Sequence, residues 1–444
     1  MYVRFDMIVI GIQTGKLSEG LKAVLSEFSG SLIKDIAYVT LPYPSQLKTA
    51  IKKIYNETEQ LNADIKKISS TDLFGTVLEG VTKLQIKAVE KLLKDSGTKK
   101  CDVRAIGLRG LEILVSLKGF KKAHCSEIFD PAKLAQKTGI PVVYDFAADD
   151  IFVGGNGKNF APVHFLHLSS AFVKDGRFPV CFMTSGNTSN MTLITVANSI
   201  KRQVISFDCG AFEYYINALR KFFYDKEIDI TNMYGLNGQI NLNLLNELYL
   251  ESAITDDGRN FLDVLPPKVI EERFYKMLDK LKGYSLRAED ILRTLEYFSA
   301  YTVFMSLRFV ADNVDFPNCF VGVGKGWKNS LIFYDFQNLL HGRGIILTQH
   351  KHIVTKILGR LHGTRFSFET GEKFGILSEF IEARIAADLA QSFLTEQNFN
   401  RRELTGCQKE VVCGLLCEVG KNTQRSGRGF TYSRVAKGWR KKSV

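Results

Sequence analysis

Pro141–Gly157 reads PVVYDFAADDIFVGGNG, a short apolar run followed by carboxylates and then glycines. Val142, Val143 and Tyr144 are β-branched or aromatic and predict a buried strand. Asp145, Asp149 and Asp150 fall where that strand ends, and Gly154, Gly155 and Gly157 form a turn beyond them. Ligands of open α/β sheets lie outside the carboxyl ends of strands. A carboxylate there can take a proton from water or from a hydroxyl. The competing reading, that these aspartates cap a helix or decorate a turn, stays open on residue types alone.

The elements around this stretch alternate strand, glycine-containing turn and helix. Residues 7–12, MIVIGI, predict a central strand, and the loop Gln13–Gly20 leads back into apolar spacing at LKAVLSEF and a further strand at IKDIAYVTLPY. Glycines in such a hairpin let backbone N–H groups approach an anion. It is not a Walker A loop, because Leu17 follows Gly15-Lys16 and Ile10 stands where that motif has glycine. Residues 179–194 predict a second hairpin of this kind, and 204–213 a strand ending in Asp208-Cys209-Gly210. Cys319–Val323 predicts a strand entering GVGKGWKN, whose Gly322, Gly324 and Gly326 do not satisfy G-x-G-x-x-G. Helical spacing is found over 44–68, 77–96, 240–255, 268–283, 289–311 (a long amphipathic helix) and 377–395, with Glu379, Glu382 and Asp388 on polar positions of the last. Residues 103–107 predict a strand. Asp130 fits an N-cap, Pro131 the first helical position and Gly139 the C-cap of one more helix.

A chain of 444 residues exceeds one hydrophobic core, so two lobes are expected. There is no apolar run long enough for a membrane span. The N-terminus enters a strand-like run without the order of a signal peptide, which predicts a cytoplasmic protein with no membrane partner. The cysteines are scattered without a CxxC pair, and the pairs His164/His167 and His350/His352 have no third ligand near them in sequence, so no metal site is predicted. The net charge of +12 is concentrated at the end of the chain. Residues 421–444 carry Lys421, Arg425, Arg428, Arg434, Lys437, Arg440, Lys441 and Lys442 with no acid, interleaved with Phe430, Tyr432 and Trp439. Contact with nucleic acid and a solvated tail are both open readings of this segment.

Taken in order, these stretches resemble the anhydro-N-acetylmuramic acid kinases of the sugar kinase/actin/chaperone-ATPase superfold, from about Ile8 to Gly406. The family's G-x-M-S-G-T-S-x-D-G is represented by GIQTGKLSEG, and its Q-I-G-D-P-A by EIFDPA. T-G-I-x-V-V-x-D-F-R-x-x-D-I-A-x-G-G-x-G is matched by TGIPVVYDFAADDIFVGGNG, with Asp145, Phe146, Asp150, Ile151, Gly154, Gly155 and Gly157 in register. L-N-I-G-G-I-A-N-L-T is echoed by MTSGNTSNMT, F-D-T-G-P-G-N by FDCGAFE, P-P-K-S-T-G-R-E-x-F by PPKVIEERF and C-G-G-G-A-x-N by VGKGWKN. Near the C-terminus EARIAADLA and TGC echo E-A-x-x-F-A-x-L-A and T-G-A.

The resemblance implies an α/β protein of two RNase H-like lobes with a nucleotide cleft between them, the actin-like ATPase fold. The expected division is a lobe at 1–178 carrying the first phosphate loop and the catalytic carboxylate, a lobe at 179–420 carrying the second phosphate and nucleoside loops, and the basic tail. It implies ATP and Mg2+, a sugar substrate, and a reaction in which water opens the 1,6-anhydro ring while the γ-phosphoryl passes to O6. Asp150 matches the general base. The ATP contacts would be Gly11, Thr14, Gly15, Lys16, Leu17, Ser18, Glu19 and Gly20, then Gly186, Asn190, Asp208 and Gly210, then Gly324, Gly326 and Asn329. The sugar contacts would be Asp130, Asp145, Gly155 and Gly157. A homodimer is compatible with the family, although no interface is legible. The chain departs from the pattern at Ala147 and Asp149, at Lys16-Leu17, at Asn187, at Phe212-Glu213, and at Lys325 and Trp327, the last two expected to crowd the nucleoside loop. Those departures support an alternative: an inactive kinase-fold binding protein or scaffold, contacting RNA through its tail.

Overall fold

A computed structural model describes residues 7–15, 20–30, 32–60, 68–115, 124–155, 157, 160–197, 201–225, 230–252, 271–363 and 365–420. The chain divides into two compact units, Met1–Leu168 with Phe380–Val444, and Ser169–Glu379. The division therefore falls before residue 178, and the segment from Phe380 belongs with the first unit rather than the second. The loop residues Lys16, Leu17, Ser18 and Glu19, the PPK stretch and the basic tail lie outside the described residues.

The first unit is built on strands β1 (Met7–Thr14), β2 (Leu21–Ser29), β3 (Leu32–Leu41), β4 (Val103–Arg109), β5 (Leu111–Val115), β6 (His124–Ile128) and β7 (Val142–Tyr144). β1–β3 form an antiparallel meander, β4 pairs parallel to β1, and β7 parallel to β4. β5 and β6 make a separate antiparallel pair. Helices α1 (Ser45–Gln60), α2 (Asp72–Ser96), α3 (Pro131–Thr138), α4 (Phe146–Phe152) and α5 (Ala161–Lys174) follow the strands, and the division of the chain falls within α5.

The second unit repeats the plan. Strands β8 (Val180–Thr184), β9 (Thr188–Ala197) and β10 (Lys201–Ala211) form an antiparallel meander. β11 (Cys319–Val323) pairs parallel to β8, and β12 (Ser367–Thr370) parallel to β11. A meander extended by two parallel strands on its first member, found twice in one chain, is the RNase H-like lobe of the actin-like ATPase fold. Helices α6 (Tyr214–Tyr224), α7 (Leu242–Ser252), α8 (Glu271–Lys282), α9 (Ala288–Ser306), α10 (Ser330–Leu340) and α11 (Lys351–His362) complete this unit. Back in the first unit, α12 (Ile381–Leu394) and α13 (Arg402–Thr405) precede β13 (Leu415–Cys417), which pairs antiparallel to β7.

Two helices depart from the amphipathic reading. α9 is buried on all sides from Thr294 to Ser306, because its aromatic and small residues leave no continuous polar stripe. α12 is buried from Ala383 to Leu389, and Asp388 sits inside rather than on a polar face. α12 lies so close to the sheet that a Cβ on Gly11 would fall 1.8 Å from the Ala383 carbonyl oxygen, and one on Gly107 2.0 Å from that of Ala386. Gly11 and Gly107 are register partners on β1 and β4, so the two glycines form one seam beneath an alanine-lined helix.

No described helix is long and apolar enough to cross a membrane. The seam sets a stability test. Gly11→Ala must push backbone against backbone and is expected to cost at least about 1–3 kcal/mol. Gly75→Ala, at an exposed helical position where a Cβ meets nothing within 4 Å, is expected to raise stability by about 0.4–1 kcal/mol. Thermal and urea denaturation of both variants would check this; equal effects would contradict the packing argument.

Candidate active site

In the first unit the β1–β2 hairpin presents the first loop. The Gly15 N–H donates to the Gly20 carbonyl at 2.9 Å and closes the turn, and the Tyr43 hydroxyl donates to the Gly15 carbonyl at 2.6 Å. Gly20 has φ +71°, and a Cβ there would strike the Leu41 carbonyl, so glycine is required on both counts. Thr14 is buried, its Oγ1 accepting from Gln85 Nε2 at 3.0 Å. Gly11 and Thr14 therefore support the hairpin from beneath.

The three aspartates beyond β7 have separate roles. Asp145 is the left-handed residue (φ 61°) that turns the chain from β7 into α4 and is buried. Asp149 Oδ2 accepts from the Gly414 N–H at 2.8 Å, tying the helix to the segment that enters β13. Asp150 is fully buried. Its Oδ1 accepts from the Thr405 hydroxyl at 2.7 Å and from Asn400 Nδ2 at 3.0 Å, and its Oδ2 from the Gly157 N–H at 2.8 Å. Among the described residues Oδ2 thus meets one donor and Oδ1 two. The turn folds back over the carboxylate: the Gly155 N–H donates to the Asp150 carbonyl at 2.8 Å, and a Cβ on Gly155 would lie 2.2 Å from Oδ2. The structure thus brings Asp150, Gly155 and Gly157 together. Asp130 is instead the N-cap of α3, accepting from the Lys133 N–H at 2.9 Å.

In the second unit the β8–β9 turn and the loop after β11 lock together. The Ser185 N–H donates to the Val323 carbonyl at 2.7 Å, and Ser185 Oγ accepts from the Gly326 N–H at 2.9 Å. Ser378 Oγ accepts from the Gly324 N–H, also at 2.9 Å. The Gly186 carbonyl accepts from the Glu213 N–H. Burial pushes the Glu213 carboxyl up, against hydrogen bonds from Ser185 and the Gly326 backbone. Asn190 Nδ2 lies 3.4 Å from Asp208 Oδ1, and its Oδ1 accepts from the Thr192 and Ser206 hydroxyls. Burial raises Asp208 too, partly countered by the Asn190 bond. Gly210 (φ +108°) marks the irregularity in the β9–β10 ladder.

Two residues of the loop after β11 face inward. Trp327 does not crowd the loop from outside: it is buried among Phe212, Phe336 and Phe368, with Nε1 donating to the Met183 carbonyl at 2.8 Å. Its apolar bulk is accepted because β11 has Gly322 beneath the indole. Asn329 is fully buried, caps α10 through Oδ1, and donates from Nδ2 to Glu296 Oε1 at 2.9 Å. The loop's outward charges are Lys325 and Lys328, paired with Glu379 at 3.8 Å and Glu372 at 3.2 Å.

A family profile, Anhydro-N-acetylmuramic acid kinase, matches residues 7–359. The chain belongs to the anhydro-N-acetylmuramic acid kinase family. It is thereby a member of a family of carbohydrate kinases, which are phosphotransferases. The anhydro-N-acetylmuramic acid kinase of Vibrio vulnificus (strain CMCP6) is 24% identical over 413 residues, covering 92% of this chain and 98% of that protein. That of Variovorax paradoxus (strain S110) is 27% identical over 416 residues, with the same coverage of 92% and 98%. A solved ROK family glucokinase from Streptomyces griseus, in complex with glucose and AMPPNP, is 13% identical with a TM-score of 0.35, over 87% of this chain and 99% of its own.

For an anhydro-N-acetylmuramic acid kinase family member, the residues that sequence patterns missed lie after residue 359, where the profile match ends. Asn400 carried no local signal, and Thr405 only that of a short TG echo. Asp388 joins the two histidines of α5: its Oδ2 is 2.7 Å from His164 Nδ1 and 2.9 Å from His167 Nδ1. Both rings turn Nδ1, the nitrogen nearer the main chain, to the carboxylate. Among the described residues no group of three or more His, Cys, Asp or Glu is arranged to hold a metal. Burial alone would raise Asp388, but the charge of His167 and the bonds from both rings hold it well below the usual range. Burial lowers His164, outweighing its Asp388 bond. Burial also pulls on His167, yet the Asp388 charge and hydrogen bond leave it raised.

A raised histidine stabilises the fold fully below its unfolded value, about 6.5, and loses that contribution as the pH rises through the folded value. His167→Gln is therefore expected to be most destabilising near pH 6, with the difference from the native chain narrowing towards pH 9. Urea unfolding at several pH values would read this, and a gap that widens with pH would contradict the ion pair.

Proposed function

We propose that this protein is an ATP-dependent kinase of anhydro-N-acetylmuramic acid, and that Asp150 is its general base. The observation that carries the reading is the family-register carboxylate beyond β7, held by the Gly157 N–H, Asn400 and Thr405. Water attacks the anomeric carbon as Asp150 takes its proton. The bond from that carbon to O6 breaks, O6 bonds to the γ-phosphorus, and ADP leaves. Gly155 and Gly157 shape the turn over the base, and Asp145 and Asp130 fix the elements on either side of β7.

Phosphate contacts of the first unit would come from backbone at Gly15 and Gly20, and those of the second unit from Gly186, Asn190, Asp208, Gly210, Gly324 and Gly326. Gly11, Thr14 and Asn329 would support these loops rather than touch the nucleotide. With no protein cage of acids among the described residues, Mg2+ would be carried on the phosphates themselves, as such sites often allow. When bound, it would neutralise phosphate charge.

One observation favours the second reading, a kinase-fold protein that no longer turns over ATP. The N–H groups of Gly324 and Gly326 already donate to Ser378 and Ser185. Ala147 also leaves no cation one turn before Asp150. Calorimetry with Mg-ATP, with and without the anhydro-sugar, separates the two. Binding and sugar-dependent ADP release support the kinase, and the absence of both supports the scaffold. Asp150→Asn is expected to lower kcat by about 10²–10⁴-fold with ATP affinity unchanged. Turnover near the native rate would remove Asp150 from the chemistry.

A further inference from the structure

We infer that Asn400 and Thr405 are positioning residues that hold the Asp150 carboxylate in its working orientation, an inference that rests on Asp150 being the base. Both groups are buried, both lie beyond the reach of the family profile match, and both converge on the same oxygen. The Thr405 hydroxyl is 2.7 Å from Oδ1 and Asn400 Nδ2 is 3.0 Å from it. Among the described residues Oδ1 thus meets two side-chain donors, while Oδ2 meets the Gly157 N–H. The pair fixes the plane in which the carboxyl lies.

The two donors are themselves held. Asn400 Oδ1 accepts from the Val411 N–H at 2.7 Å, and this assigns the amide: its nitrogen must face Asp150. Thr405 ends the short α13, with Gly406 behind it at φ +74° turning the chain away. Phe399, next to Asn400, packs edge-on against His167 with ring centres 5.6 Å apart and against Phe160 at 6.0 Å. The segment is therefore anchored on both sides of the donors, as a fixed carboxylate requires. A donor free to swing would let the carboxyl rotate, and a displacement of about 1 Å at a reacting atom can cost on the order of 10²-fold in rate.

The test is a set of four variants of the full chain, assayed for ATP- and anhydro-sugar-dependent ADP release. Thr405→Val keeps the shape and deletes the donor; kcat is expected to fall by about 10–100-fold with KM for ATP within about 2-fold. Thr405→Ser restores the hydroxyl and is expected to return kcat to within about 3-fold of native, which a purely packing role for the methyl would not give. Asn400→Asp keeps the acceptor for Val411 but sets an oxygen against Oδ1, so that the two carboxyls compete for one proton; kcat is expected to fall further than in Thr405→Val. Asp150→Asn is the reference. Native kcat in both Thr405→Val and Asn400→Asp, while Asp150→Asn is inactive, would overturn the positioning role and leave the base assignment standing. An active Asp150→Asn would overturn both. Equal losses in Thr405→Val and Thr405→Ser, with lowered thermal stability in each, would also overturn the positioning role.

Discussion

The constraint on which the first unit turns is a carboxylate taken entirely out of water. An ionised carboxyl in a protein interior carries a desolvation penalty of several kcal/mol, offset only when donors meet it at good geometry. Among the described residues three donors meet Asp150, and each charge-assisted bond contributes about 1.5–3 kcal/mol. The donors come from different places in the chain: the glycine turn after α4, the loop after α12, and α13. That requirement ties residues near position 150 to residues near position 400. It gives a physical reason for the C-terminal segment to return to the first unit, where β13 pairs with β7. Gly155 follows from the same constraint, since any side chain there would occupy the space of the carboxyl group.

Much of the architecture was legible because periodicity and punctuation are local properties. The apolar runs at 7–12 and 319–323, the hairpin turns at Gly15–Gly20 and Ser185–Asn187, and the Asp130-Pro131 start of α3 each announce themselves within a few residues. The short strands β5, β6, β12 and β13 were not read from the sequence, whereas the equally short β7 was, because its β-branched run is bounded by Pro141 and the Asp-rich turn. Within the site the same divide holds. Asp150 and its glycines lie in one motif. Asn400 and Thr405 are 250 and 255 residues away, and only tertiary structure joins them. Gly11 fits a phosphate-loop pattern, and the Ala383 carbonyl above it gives a packing reason for glycine that no local pattern shows.

The second unit takes two of its departures from the family pattern, Phe212 and Trp327, into its core. A tryptophan in a glycine-rich loop suggests obstruction, but the indole fills core space among three phenylalanines and satisfies its N–H on Met183. Glu296 is buried and is met by Arg220 at 3.1 Å as well as by Asn329, so the loop's last residue belongs to a buried ionic network. Such a network is costly to break once formed, because removing one partner strands the other. The consequence is a loop whose backbone path is fixed by the core rather than by any ligand, with Ser185 and Ser378 already on its N–H groups. A nucleotide phosphate would have to gain more than those neutral hydroxyl contacts supply, and a charged acceptor can, since charge-assisted bonds are roughly twice as strong.

The seam of Gly11 and Gly107 has a further effect on charge. By letting α12 settle onto β1 and β4, it denies water to Arg384 and Asp388 of that helix. Each then needs a partner from another element. Arg384 finds Asp35 at 3.4 Å on β3 and the Ile33 carbonyl at 2.9 Å, and Asp35 is held in turn by the Ser26 hydroxyl on β2. Asp388, one turn on, finds the two imidazoles of α5. The glycines thus convert a helix that is merely polar in sequence into one that pins the edge strand on one side and α5 on the other. An alanine at either glycine would lift the helix and loosen both ion pairs together, so the two halves of the unit's polar interior are coupled through a contact that contains no polar side chain at all.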